Sequence, residues 1–144
     1  MNKEYIDHGV LSPYHLVEKK WGHEIWFVNN EKYCGKILFC RDKIWSSEGK
    51  FHYHKIKDET FFILESGLLL DVIKEKDGKE ILERLILFEE MSFRIKPNIL
   101  HRFKSVGKDC KFLEVSTTHR EDDSYRIERN IEEEKIEIGE MVLN

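Results

Sequence analysis

His52 and His54 stand two residues apart, and Glu59 follows five residues later. On an extended strand, residues i and i+2 project from the same face. The two imidazoles therefore converge on one side of the chain. Glu59 comes after a Lys55-Ile56-Lys57-Asp58 turn and can return beside them. His101 opens another apolar run, after Lys96-Pro97-Asn98-Ile99-Leu100. Three imidazoles and one carboxylate form a donor set suited to one divalent first-row ion. Manganese, iron, cobalt, nickel and zinc all qualify, with manganese and zinc preferred. His8, His15 and His23 read as ordinary packed or surface residues.

Short strands must position these ligands. The chain alternates apolar-rich runs with polar turns, and the runs are rich in Val, Ile, Phe, Tyr and Trp. The pattern predicts strands over Glu24–Asn29, Tyr33–Cys40, Lys50–His54, Glu59–Glu65, Leu68–Ile73, Ile81–Leu87, Met91–Ile95, His101–Ser105 and Cys110–Ser116. Asp77-Gly78 between two such runs is a hairpin signal. So many strands in one short chain predict an all-β sandwich or closed barrel. A helical turn or two is expected in Ser12–Lys20. Ile131–Ile138 reads as a solvated edge strand or short helix.

A chain of 144 residues fits a single domain with one core. Its net charge of -4 and lack of a basic stripe argue against a nucleic-acid partner. No apolar run approaches the roughly 20 residues that span a bilayer, so no membrane partner is expected. Met1–Gly9 carries Lys3, Glu4 and Asp7 and does not read as a signal peptide. Cys34, Cys40 and Cys110 match no zinc spacing and read as reduced, buried thiols of a cytoplasmic protein.

The segment from His52 to Gly67 resembles the first cupin motif, G-x5-H-x-H-x3,4-E-x6-G, with a final gap one residue longer. Its leading glycine would fall at Ser46, whereas Gly49 lies three residues before His52. Met91, Pro97, Asn98 and His101 lie in the region that corresponds to the second motif, G-x5-P-x-G-x2-H-x3-N. Both glycines of that motif are missing. Glu90 or Met91 stands near the first, and Asn98 replaces the second. Asn is the residue best able to take a glycine-like backbone. The resemblance implies a cupin-type double-stranded β-helix, or jelly roll, with short terminal extensions. The barrel core would span about residues 20–120 of one domain covering residues 1–144.

Further stretches resemble small sugar-related cupins of the D-lyxose isomerase-like and mannose-6-phosphate isomerase-like kind. They are Lys20-Trp21-Gly22-His23-Glu24, Asn29 to Lys36, Glu114 to His119, and Asp123-Ser124-Tyr125-Arg126. That resemblance implies a metal-dependent aldose–ketose isomerase acting on a sugar, with or without phosphate. Lys57, three residues after His54, would stabilise the enediolate or polarise the carbonyl. Glu114 would be the base, provided its strand face points into the barrel. Arg94 and Arg102 are candidate contacts to a substrate phosphate or hydroxyl. Trp21, Trp26, Trp45, Phe61, Phe93 and Phe103 are core candidates, one or two of them walling a sugar pocket. The alternatives are a cupin that binds a sugar or small acid without turnover and, third, an iron-dependent dioxygenase. A homodimer is expected, because an open sheet edge needs covering.

Overall fold

The computed structural model describes residues 15–131, 137–138 and 142–143. The described residues contain eleven strands and no α-helix. They are β1 (His15–Lys19), β2 (Gly22–Asn29), β3 (Tyr33–Cys40), β4 (Phe51–Tyr53), β5 (Glu59–Lys76), β6 (Lys79–Leu87), β7 (Ser92–Ile95), β8 (Leu100–Thr117), β9 (Tyr125–Ile127), β10 (Glu137–Ile138) and β11 (Val142–Leu143). One curled sheet runs in the order β1-β2-β3-β8-β5-β6-β10. β7 flanks β5, β11 flanks β6, and β4 joins both β8 and β9. No helix among the described residues is long and apolar enough to cross a membrane.

Residues 15–19 form a strand where a helical turn was expected. Every residue of this short segment pairs in antiparallel register with β2, from His15 opposite Trp26 to Lys19 opposite Gly22. Sheet pairing overrides the weak local preference. The four runs expected over 59–73 and 101–116 are two long strands of 18 residues each. β5 and β8 pair with register breaks around Glu65. Ser66 there takes a positive φ of 72°. Such irregularities bend the paired strands, so one sheet folds over on itself. The Asp77-Gly78 hairpin forms with both residues at positive φ, as its turn type requires.

The interior divides along the strands. Inward positions at one end are apolar: Leu38 and Cys40 on β3, Phe61 to Leu70 on β5, Phe103 and Phe112 on β8. The same inward rows turn polar at the other end. Two residues before Leu38 is Lys36, two before Phe61 is Glu59, two before Phe103 is His101, and two after Phe112 is Glu114. All four polar residues are buried. The period of two that builds the core therefore also aims ionisable groups into the open end of the barrel. Phe51 sits instead in a second cluster with Ile73 and Leu82. Neighbouring strand positions face opposite ways, so His52 beside it can face the interior.

Candidate metal centre

β4 and β8 bring His52 opposite His101 in direct cross-strand register. Their ring centroids lie 3.9 Å apart. His54 joins them at the end of β4, and one ligand atom from each ring falls within 4.8 Å of the others. Glu59 opens β5 beside them. Its Oε2 lies 3.1 Å from His54 Nε2, and its Oε1 lies 3.7 Å from His101 Nε2. Two donors each about 2.1 Å from a tetrahedral ion would be about 3.4 Å apart. The two Glu59 distances bracket that value.

The tautomers also fit. His54 Nδ1 donates to the Asp123 carbonyl at 2.7 Å, and His101 Nδ1 donates to the Ile99 carbonyl at 2.9 Å. Each ring then presents an Nε2 lone pair inward, as a ligating histidine must. His101 Nε2 and His52 Nδ1 are buried without a hydrogen-bond partner. Buried polar atoms are rarely left so, and an ion would satisfy them. Burial pushes the His52 imidazole well below its ordinary range, and the neighbouring His101 and His54 add to this. His101 is lowered by burial too, although Glu59 opposes it. Both rings are therefore held neutral, the form that binds metal.

The turns around the ligands explain how non-glycine residues serve. Asn98 takes φ 70° and Glu90 takes φ 71°, at the places where the motif's glycines are missing. The Asn98 amide also donates to the His54 carbonyl at 2.6 Å, tying this turn to β4. The Asp123 carboxylate accepts the amides of Lys55 at 2.8 Å and Lys57 at 3.0 Å, with Ile56 at 3.2 Å between them. It thus holds the turn between His54 and Glu59. Nothing in the spacing of Asp123 signalled this role, because its partners lie about 66 residues away.

Beyond the histidines, Lys57 and Glu114 form an ion pair of 2.8 Å. Lys57 is 4% exposed and Glu114 5%, so neither is the solvated surface group its type suggests. Lys57 Nζ also lies 3.7 Å from Glu59. Burial disfavours the Lys57 cation, but Glu114 and Glu59 outweigh it and hold the ammonium above its ordinary range. Burial likewise raises Glu114, and Lys57 and Lys36 overcome that to keep it ionised well below the usual carboxylate range. Lys36 extends the cluster, 3.9 Å from Glu114 and 3.8 Å from Glu24. Its ammonium also lies 4.1 Å from the centre of the Trp26 ring.

These groups line one cavity of about 460 Å³, with Trp21, Trp26, Phe61 and Phe103 among its walls. Its size suits a monosaccharide-sized ligand. Arg94 and Arg102 lie outside that lining. Arg94 pairs with Asp58 on the exposed side of β7. Arg102 is held by buried Asp71 and the Gly49 carbonyl and packs over Phe51 and Trp45. Both alternate out of phase with the inward residues Ile95, His101 and Phe103, which turns them away from the cavity. Sequence reasoning gave no role to Lys36, Glu24 or His119, although each falls in a stretch that carries the sugar-cupin resemblance. The spacing around Glu24 and Lys36 equally fits an ordinary half-exposed strand, and His119 lies just past the end of β8.

No protein-family model and no curated protein sequence matches the chain. Solved structures do. The capsular polysaccharide assembling protein CapF from Staphylococcus aureus superposes with a TM-score of 0.68 at 14% identity, covering 81% of this chain and 35% of that one. Oxalate decarboxylase from Bacillus subtilis gives 0.66 at 16% identity, covering 88% and 34%. KdgF from Halomonas sp. gives 0.58 at 11% identity, covering 77% and 92%. The chain thus spans about a third of the length of the first two. Together with the curled antiparallel sheet, these likenesses define the class: the chain has the all-β jelly-roll fold of the cupins. The three clustered histidines can hold a metal ion within it.

Proposed function

We propose that the chain binds one divalent ion through His52, His54, Glu59 and His101 and isomerises an aldose to a ketose. The observation that carries this reading is the buried Lys57–Glu114 pair in the same cavity as the ligand cluster. When bound, the ion supplies Lewis acidity toward the sugar's O1 and O2. Glu114 takes the C2 proton of the open-chain aldose and returns it to C1. Lys57 gives a proton to O1 as the enediol forms and recovers one from O2, so the protons balance. The aromatic walls keep water from the enediol.

A second reading, sugar or small-acid binding without turnover, has one observation behind it. Glu114 is held strongly ionised by Lys57 and Lys36, which makes it a weak base until a substrate separates the pair. One experiment tests both. Purified protein is analysed for metal, then incubated with an aldose panel before and after chelation, with ketose read by NMR. Turnover that is lost on chelation and falls at least a hundredfold in Glu114→Gln is expected. Thermal stabilisation by a sugar without any ketose supports the binder instead. Unchanged metal content in His52→Ala/His101→Ala removes the basis of both.

A further inference from the structure

His119 is built into the cavity wall with more care than a packing residue needs. Fully buried Asn29 clamps its backbone from both sides, accepting its amide at 2.9 Å and donating to its carbonyl at 3.1 Å. The Trp26 ring sits edge-on to the imidazole at 4.7 Å between centroids. Lys36 Nζ lies 3.1 Å from His119 Nδ1. An ammonium only donates, so Nδ1 is the acceptor and the ring hydrogen sits on Nε2. That Nε2 donates to Glu121 Oε1 at 3.1 Å. The Glu121 side chain is 67% exposed, whereas the Lys36 and Glu114 side chains are buried. A line of proton-carrying groups therefore leads from the buried carboxylate at the reaction centre to water.

We propose that Lys36, His119 and Glu121 form a proton relay between Glu114 and solvent, with His119 switching tautomer as each proton passes. Outward, Lys36 gives a proton to His119 Nδ1 while His119 Nε2–H passes its own to Glu121. Lys36, now neutral, takes the proton held by Glu114 once side-chain motion closes their 3.9 Å gap. Each group ends with the protons it began with, except that Glu114 has lost one and Glu121 has gained one. The histidine never needs to carry a charge, which suits a ring that burial and two lysines keep neutral. In turnover, and there resting on the isomerase reading above, the relay lets the proton taken from C2 exchange with water before it returns at C1.

His119→Gln tests this cleanly. The amide oxygen can accept from Lys36 and the amide nitrogen can donate to Glu121, but an amide has no second tautomer to pass a proton. In full-length protein labelled with 15N-lysine, NMR reads how fast the Lys36 ammonium hydrogens exchange with water. Exchange at least tenfold slower in His119→Gln is expected, with the Lys57 signal unchanged. An unchanged Lys36 rate with an intact amide spectrum overturns the relay. Should that variant misfold, the exposed Glu121→Gln replaces it, and an unchanged rate there overturns the proposal equally. In heavy water, the variant's ketose should also carry several-fold less deuterium at C1 than the wild-type product. If no ketose forms from any aldose while the Lys36 difference persists, the isomerase reading falls and the relay stands.

Discussion

Lys57 and Glu114 set the energetics of the site. Two opposite charges buried together gain strength from the poor screening around them, yet each has lost its hydration. Removing one partner leaves the other buried and uncompensated. Lys57→Met is therefore expected to cost about 3–5 kcal/mol in urea unfolding. Glu114→Leu should cost a similar amount, because Lys57 then keeps only Glu59 at 3.7 Å. The double variant should recover most of the loss, since an apolar pair of like volume suits a cavity walled by Phe61 and Phe103. Singles that cost less than 1 kcal/mol, or a double variant that costs their sum, would refute a tightly coupled buried pair. The identity of Lys57 as a candidate was readable in its place after His54. Its burial was not, because lysines are solvated in most turns.

At the scale of elements, the proposed ligands are only as well placed as the turn between β4 and β5. The Asp123 carboxylate holds three consecutive amides of that turn, and the Asp123 carbonyl orients His54. Outer groups that orient a ligating histidine typically contribute 10–100-fold to metal affinity. Asp123→Ala keeps the carbonyl but removes the amide acceptor. Metal affinity is expected to drop at least tenfold by competition titration, with about 1–3 kcal/mol lost from stability. Undiminished affinity would place the turn's order elsewhere. This device was not legible in the sequence: Asp123 falls in a stretch that carries the resemblance, but no spacing ties it to a turn about 66 residues earlier. Most strands were visible, because period-two runs bounded by turn residues are local. Tyr33–Cys40 came out with the bounds its pattern gives. β5 and β8 did not read as continuous strands, since the Ser66-Gly67 and Gly107 signals mark bends within strands as readily as breaks. Asn98 was legible as a glycine substitute; Glu90 was not, as glutamate has no preference for positive φ.

On the scale of the whole molecule, the neutral buried histidines govern the response to acid. His119 is pushed down to about 2 by burial and by Lys36 and Lys57. His52 and His101 are also lowered, chiefly by burial. Below pH 6.5 the unfolded chain protonates these residues while the folded chain does not. The unfolded state then binds more protons, so stability falls with falling pH, down to each ring's folded value. Each fully unmatched proton costs about 1.4 kcal/mol per pH unit. Three such rings give a slope of up to about 4 kcal/mol per pH unit, set against a typical total of about 5–15 kcal/mol. Glu59 and Glu114, both held below their ordinary range, act with the same sign but only from about pH 4.5 downward. The onset therefore separates the two causes. Metal-free protein should lose stability from about pH 6.5, with its urea midpoint dropping steeply by pH 5, and His119→Gln should flatten that limb. Bound metal should lift the whole limb without steepening it, because the folded rings carry no proton for the ion to displace. A flat profile between pH 6.5 and 5 would mean that the folded chain protonates these rings without penalty, so that their burial does not hold them neutral.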